Sequence, residues 1–331
     1  MVMLKTIDAH AGGGPLRLVV DGFPAPRGRT MDDKVEWIRG HADRLRCVLM
    51  REPRGHADIG GALFTEPVAP GSHAGVIFLN GHGYPALSGH GILAVATIAL
   101  ERGLLMPGGD GTMVVLDTQA GTVRVRAAGR VERIERVSML MVPSFVAEAS
   151  LAVKTAGRQL RADVAFGGGL YAIVDCEAAG VSVDAARVPE LRRAGMEIAA
   201  AVDAARAWAH PATGREEEIA GTIFTAPPRS ESADLRSVTV RRDGQVGRSP
   251  GGTATAALMA VLDAMGLLAD ERPFVHEGIV ETRFSGRLAG RTQVGELGGI
   301  VAEIEGSAWI TGEHTFVSTP GDPFADGIPD A

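Results

Sequence analysis

Pro85-Ala86-Leu87-Ser88-Gly89-His90-Gly91-Ile92-Leu93-Ala94-Val95-Ala96-Thr97-Ile98-Ala99-Leu100-Glu101-Arg102-Gly103-Leu104-Leu105 carries more structural information than any other part of this 331-residue chain. A glycine-rich turn feeds an apolar run, and the run ends at a second glycine. The pattern predicts a tight turn that places a hydroxyl and several unpaired backbone N–H groups at the start of a buried helix. A second copy lies almost half the chain length further on: Gly251-Gly252-Thr253-Ala254 falls over Ser88-Gly89-His90-Gly91, and Gly266-Leu267-Leu268 falls over Gly103-Leu104-Leu105 without a gap. A self-match at half the chain length points to two related halves, whereas a solenoid would show several shorter periods.

Both runs are apolar nearly all round, as a helix enclosed by other structure must be. The first turn of a helix carries unpaired N–H groups and the positive end of the dipole, so two such N-termini facing one another predict a site for a small carboxylate. The plainer reading makes both turns glycine-containing entries to core helices. The pairing of Ser88 and His90 in one copy with Thr253 in the other favours a site.

Composition agrees with two ordinary cores: 45% of residues are hydrophobic and 22% charged, with only 5% aromatic, so Val, Leu, Ile and Ala must do the filling. The formal net charge of −7 argues against nucleic acid or an anionic membrane as the main partner. Met1 to Asp8 has too short an apolar run for a signal peptide. No stretch approaches the roughly 18 apolar residues of a membrane span, so a cytoplasmic protein is expected. The two cysteines, Cys47 and Cys176, fit a reducing compartment; each lies in an apolar, strand-like run and reads as a buried free thiol.

Strands are expected at Leu16–Val20, Cys47–Met50, Val76–Asn80, Met113–Leu116, Thr122–Val125 and Val137–Met141, then at Tyr171–Val174, Val238–Val240, Ile279–Thr282, Val301–Ile304 and Trp309–Ile310. Short strands at this spacing favour antiparallel sheet over βαβ units. Helices are expected from Val188 to Arg206 and from Thr253 to Met265. The charged segment Arg51–Asp58 reads as a solvated turn with local ion pairs, or alternatively as a polar rim of the site, and the Gly/Asp/Pro-rich tail after Phe324 is expected to fray. Ser88 with His82 and His90 suggests an activated nucleophile, but Ala86 stands where a hydrolase elbow needs glycine, and Pro85 interrupts the strand. The nine histidines contain no His-x-His or His-Glu-x-x-His pair, so no metal site is expected.

These features resemble the proline racemase family, which shares its architecture with diaminopimelate epimerase. The resemblance rests on Asp8-Ala9-His10-Ala11-Gly12-Gly13 with Pro15 and Arg17, Glu52-Pro53-Arg54-Gly55-His56, Ser88-Gly89-His90-Gly91, Phe166-Gly167-Gly168 with Tyr171–Asp175, Arg248-Ser249-Pro250-Gly251-Gly252-Thr253, Ile310-Thr311-Gly312 and Asp322-Pro323-Phe324. It implies an α+β fold of two pseudo-symmetric halves, each a curved, mostly antiparallel sheet around a buried central helix. The halves are expected at residues 1–142 and 143–314, with the tail 315–331 returning to the first and the active site between them. It also implies a cofactor-independent enzyme, a homodimer and a proline-type substrate, with Gly89, His90, Gly252 and Thr253 at its carboxylate.

The departures from the family pattern decide the expected chemistry. In the racemases and 4-hydroxyproline 2-epimerases a Cys precedes each helix, one for each face of the α-carbon; here those positions are Ser88 and Gly251. The family's Asp before Arg-Ser-Pro, which contacts the substrate amine, is Gly247, with Asp234 or Glu296 as candidate replacements. Family members that dehydrate trans-3-hydroxy-L-proline keep an acid/base group on one side only. In that substrate the α-hydrogen and the 3-hydroxyl share a face, so one residue can take the proton and return it to the departing hydroxyl. The expected function is therefore dehydration with Ser88 as the single acid/base. The rivals are racemase or 2-epimerase activity, an epimerase acting on another amino acid, and a catalytically silent proline-analogue binder in which Ser88 is merely an N-cap.

Overall fold

In this computed structural model residues 1–106, 113–130, 132–155 and 157–329 are described. The chain forms two compact units, Met1–Met139 with Ser307–Ala331, and Leu140–Gly306.

The first unit begins with the hairpin β1 (Val2–Ala11) and β2 (Gly14–Asp21), followed by helices α1 (Met31–His41) and α2 (Asp43–Met50). Strands β3 (Gly60–Thr65) and β4 (Ala74–Leu79) lead to α3 (Gly89–Glu101), and β5 (Met113–Thr118), β6 (Gly121–Arg130) and β7 (Arg133–Leu140) follow. The second unit runs β8 (Ser144–Thr155), β9 (Arg158–Phe166), β10 (Leu170–Asp175), α4 (Cys176–Ala179) and α5 (Val188–Ala205). It continues with the short pair β11 (Trp208–Ala209) and β12 (Glu216–Glu217), then β13 (Ile219–Ala226), β14 (Leu235–Arg241) and α6 (Gly252–Ala264). Strands β15 (Phe274–Glu277), β16 (Arg283–Val294) and β17 (Leu297–Gly306) finish it. The last strand, β18 (Ala308–Ser318), pairs antiparallel with β1 along its whole length.

The internal repeat is visible in the topology. Strand order is β7-β6-β5-β4-β3-β2-β1-β18 in the first unit and β17-β16-β15-β14-β13-β10-β9-β8 in the second. Both contain the same two parallel pairings, β2 with β3 and β4 with β5 in one, β10 with β13 and β14 with β15 in the other. The offset that lays Ser88 on Gly251 also lays α3 on α6 at both ends, Gly89 on Gly252 and Glu101 on Ala264. The second sheet closes on itself through β8 and β17.

Each repeat helix is enclosed by protein. Gly91 to Leu100 of α3 and Gly252 to Val261 of α6 are buried without a break. Neither helix has a polar face, so burying every side of it is the arrangement that removes the most apolar surface from water. Each is also the crossover between two parallel strands, β4 to β5 and β14 to β15. The sheets are therefore mostly rather than wholly antiparallel, because a parallel pair requires a long connection.

Several sequence expectations are corrected. Cys47-Val48-Leu49-Met50 is the end of α2 rather than a strand, its apolar side chains joining Val35 and Ile38 of α1 in one core cluster. Ile279–Thr282 is a turn after β15, and Trp309–Ile310 belongs to the first unit, where β1 supplies its partners. The Arg51–Asp58 segment is an anchorage rather than a solvated turn. Arg54 donates to the carbonyls of Val317 (2.8 Å) and Phe324 (3.0 Å) and pairs with Asp322 (3.0 Å). The Glu52 carbonyl accepts from the Ile328 N–H at 2.6 Å, so the tail is tied down as far as that residue. Arg17 donates to Asp8 (2.9 Å) and to the carbonyls of Leu49 and Arg54, which gives those motif residues a structural task. Both cysteines are buried and free. Among the described residues no helix is long and apolar enough to cross a membrane.

Candidate active site

Ser88 is the N-cap of α3, with extended backbone (φ −129°, ψ 109°). Its Oγ accepts from the Gly91 N–H at 3.3 Å and lies 3.5 Å from His90 Nδ1. The cap bond uses an Oγ lone pair and lets the hydroxyl proton turn toward His90 when Nδ1 is unprotonated. Position 91 must be glycine, since a Cβ there would sit 2.7 Å from the Phe78 ring and 2.8 Å from Ser88 Oγ. Capping and hydroxyl presentation are thus properties of the same atom.

The loop that delivers Ser88 is clamped from α2. Arg46 donates to the carbonyls of Asn80 (2.8 Å) and Gly81 (2.6 Å), and its other nitrogens hold Asp43. Asp43 in turn accepts from the Tyr84 hydroxyl at 2.6 Å. Arg46 keeps the Asp43 carboxyl below the usual carboxylate range, while burial and the bond to Asp43 push the Tyr84 phenol upward. Asn80 Oδ1 closes the turn by accepting from the His82 and Gly83 N–H groups. His82 contributes its backbone to this turn while the residue itself is exposed.

The matching turn of α6 is built differently. Gly251, its N-cap, has φ +78° and ψ 123° and offers no side chain. Thr253 Oγ1 is hydrogen-bonded to the buried Tyr171 hydroxyl at 2.9 Å. Gly167, in the β9–β10 turn, lies so close to the helix that a Cβ would meet the Thr253 carbonyl at 2.2 Å. Gly252, Thr253 and Ser249 are buried. Gly247 donates to the Thr239 carbonyl (2.8 Å), and neither candidate replacement brings a carboxylate to it. Asp234 is committed to Arg272 (2.6 Å) and the Val275 N–H (2.8 Å) in a groove of about 210 Å³ with Leu262, Leu267 and Leu268. That groove is at the C-terminal end of α6. At about 1.5 Å per residue it lies on the order of 15 Å from Thr253, so Asp234 does not belong to the N-terminal turn. Glu296 sits in the β16–β17 hairpin, lining a separate cavity of about 450 Å³ with Trp208 and His210.

The α3 turn thus presents a hydroxyl beside an imidazole, and the α6 turn presents backbone donors and a Tyr–Thr pair. Sequence reasoning misses the Tyr171 hydroxyl and the Arg46–Asp43–Tyr84 clamp: Tyr171 is 82 residues from Thr253 and Tyr84 is 41 from Asp43, too far to form a motif, although Asp43 and Arg46 are neighbours on α2. Among the described residues no group of three or more His, Cys, Asp or Glu is placed to hold a metal ion.

This doubled α+β architecture places one polar turn at the head of each enclosed helix. The chain belongs to the proline racemase family, whose model it matches over residues 6–329. It is 36% identical over 323 residues to the trans-3-hydroxy-L-proline dehydratase of Bacillus cereus, covering 98% of this chain and 97% of the relative. It is 35% identical over 327 residues to the proline racemase of Acetoanaerobium sticklandii, covering 98% of each. Among solved structures, a hydroxyproline epimerase from Agrobacterium vitis with bound trans-4-hydroxy-L-proline superposes with a TM-score of 0.91 at 28% identity, over 99% of this chain and 95% of that one.

Proposed function

We propose that this enzyme dehydrates trans-3-hydroxy-L-proline to Δ1-pyrroline-2-carboxylate, with Ser88 as its single acid/base group. The observation that carries the reading is the asymmetry of two equivalent turns: Ser88 holds a hydroxyl 3.5 Å from an imidazole nitrogen, and Gly251, its counterpart in the repeat, holds no side chain. Inversion at the α-carbon removes a proton from one face and returns one to the other, most simply with two groups. A syn elimination needs one.

Ser88 takes the α-proton, with His90 Nδ1 drawing on the hydroxyl proton and the Gly91 N–H steadying the charge on Oγ. The Cα–H electron pair becomes the Cα=C3 bond as the C3–O bond breaks, and the proton leaves with the hydroxyl as water. The enamine then takes a proton at C3 from solvent and loses the one on nitrogen, giving the Δ1-pyrroline. Backbone N–H groups at Gly89, His90, Gly252 and Thr253 stabilise the carboxylate as charge spreads into it. The similarity to a relative named as a dehydratase supports this reading; the similarity to a proline racemase keeps racemisation or 2-epimerisation as the alternative.

Proton NMR in D2O with trans-3-hydroxy-L-proline, trans-4-hydroxy-L-proline and L-proline separates these readings. Dehydration yields pyrroline signals, deuterated at C3, from the 3-hydroxy compound alone. Deuteration at the α-carbon of the other two would overturn it in favour of epimerisation. Ser88→Ala is expected to lower turnover at least a hundredfold, the usual scale of general acid/base catalysis, while pyrrole-2-carboxylate still binds.

A further inference from the structure

The N-cap of α6 has no side chain to set its orientation, yet its carbonyl is held from inside the unit. Gly251 O accepts from the Thr255 N–H at 2.9 Å and from Thr255 Oγ1 at 2.7 Å. Thr255 Oγ1 also lies 2.8 Å from His276 Nδ1, and His276 Nε2 lies 2.7 Å from Ser237 Oγ. His276 is wholly inaccessible to solvent, and Ser237 and Thr255 are buried with it.

Elementary donor and acceptor rules fix the direction of every bond. A carbonyl only accepts, so the Thr255 hydroxyl spends its one proton on Gly251. Thr255 Oγ1 must then accept from His276, which places the imidazole proton on Nδ1. A neutral ring with Nδ1–H has a bare Nε2, and Ser237 supplies the proton to it. Complete burial, which pushes the His276 pKa down to about 3, keeps the ring neutral. The chain of donors therefore runs one way, from Ser237 on β14 through His276 on β15 and Thr255 on α6 to the Gly251 carbonyl.

The planarity of the peptide bond gives that chain a consequence at the helix tip. In a trans peptide the carbonyl oxygen and the amide hydrogen point in opposite directions. Drawing the Gly251 carbonyl into the helix therefore aims the Gly252 N–H outward from its first turn. We infer that His276 and Thr255 are positioning residues that fix the direction of the Gly252 N–H, one of the donors proposed for the substrate carboxylate. The ligand part of this inference rests on the function proposed above; the bond directions do not.

Two measurements on the full-length protein test it. In ¹⁵N-labelled wild type the His276 ring is expected to carry its proton on Nδ1, with Nε2 at the unprotonated ¹⁵N shift; the opposite tautomer would overturn the chain. Thr255→Val, which removes the hydroxyl, is expected to shift the Gly252 amide resonance and weaken pyrrole-2-carboxylate binding about tenfold, the scale of one buried hydrogen bond. Thr255→Ser is expected to restore both. A folded Thr255→Val protein with wild-type Gly252 resonance and wild-type affinity would sink the inference. If that variant does not fold, the tautomer decides. A wild type that neither binds pyrrole-2-carboxylate nor turns over any hydroxyproline would remove the proposed function, while the tautomer and the Gly252 resonance would still judge the positioning chain.

Discussion

On the proposed single-base reading, Gly251→Cys is the obvious way to add a second acid/base group and with it epimerase activity, and the backbone says that it will fail. Gly251 has φ +78° and ψ 123°, a combination that side chains of L-residues strongly disfavour. Space is not the obstacle, because the nearest atom to a Cβ at this position is Ala254 Cβ at 3.5 Å, an ordinary contact. The whole effect must come from the dihedral, about 1–3 kcal/mol for a residue held in such a region. The strained residue belongs to the unit Leu140–Gly306. For a domain of that size, a loss of about 2 kcal/mol lowers the melting temperature by roughly 4–8 °C. Gly251→Ala and Gly251→Cys are therefore expected to melt lower by similar amounts, measured by calorimetry. Gly251→Cys is expected to leave trans-4-hydroxy-L-proline without α-deuterium, because relief of the strain turns the backbone and carries the thiol off the line to the α-carbon. Wild-type stability in both variants, or brisk α-deuteration by Gly251→Cys, would refute the reasoning.

Three other outcomes follow from the same geometry. Gly247→Asp meets only ordinary contacts, the nearest being the Thr239 carbonyl at 3.4 Å, and its carboxylate comes beside Thr239 Oγ1, a buried hydroxyl with no hydrogen-bond partner among the described residues; calorimetric titration should show the affinity ratio of L-proline to pyrrole-2-carboxylate rising severalfold. Gly91→Ala forces a methyl against Phe78 and Ser88 Oγ and should cost about 1–3 kcal/mol by overpacking, seen in denaturant melts, with a loss of turnover larger than stability alone explains. His276 has a folded pKa of about 3 against 6.5 when unfolded, so below pH 6.5 the unfolded chain binds a proton that the folded one refuses. The stability from a neutral ring is complete above about pH 6.5 and falls as pH drops toward 3, by about 1.4 kcal/mol per pH unit; melts between pH 7 and 4.5 should show a shallower slope in His276→Gln than in wild type.

What can be read in the sequence follows from local chemistry. The two enclosed helices are legible because neither has a polar face, and their starts because Ser88 and Gly251 each precede an apolar run. The N-cap and acid/base readings of Ser88 look like rivals in the sequence, yet the cap bond to Gly91 leaves the hydroxyl proton available, so the two are compatible. Helix α1 escapes the hydrophobic pattern although Thr30 and Asp33 form a capping box at its start, and Cys47–Met50 passes for a strand because four apolar residues in a row have no period to distinguish strand from helix. Asp234 is a reasonable substitute by residue type, but only the helix separating it from Thr253 reveals the distance. The Ser237–His276–Thr255 chain joins residues from three elements, and a lone histidine in an apolar strand gives no hint of it.

The return of β18 to β1 sets an order for synthesis. The strand that completes the first sheet is made only after all of Leu140–Gly306. While a ribosome is still producing the second unit, β1 has one open edge, and α3, which packs on β1, β2 and β18, lacks part of its cover. The second unit suffers no such delay, being one unbroken segment whose sheet closes through β17. The half that carries Ser88 is thus begun first and finished last, and a nascent chain must protect its most apolar helix for the time it takes to make the other half.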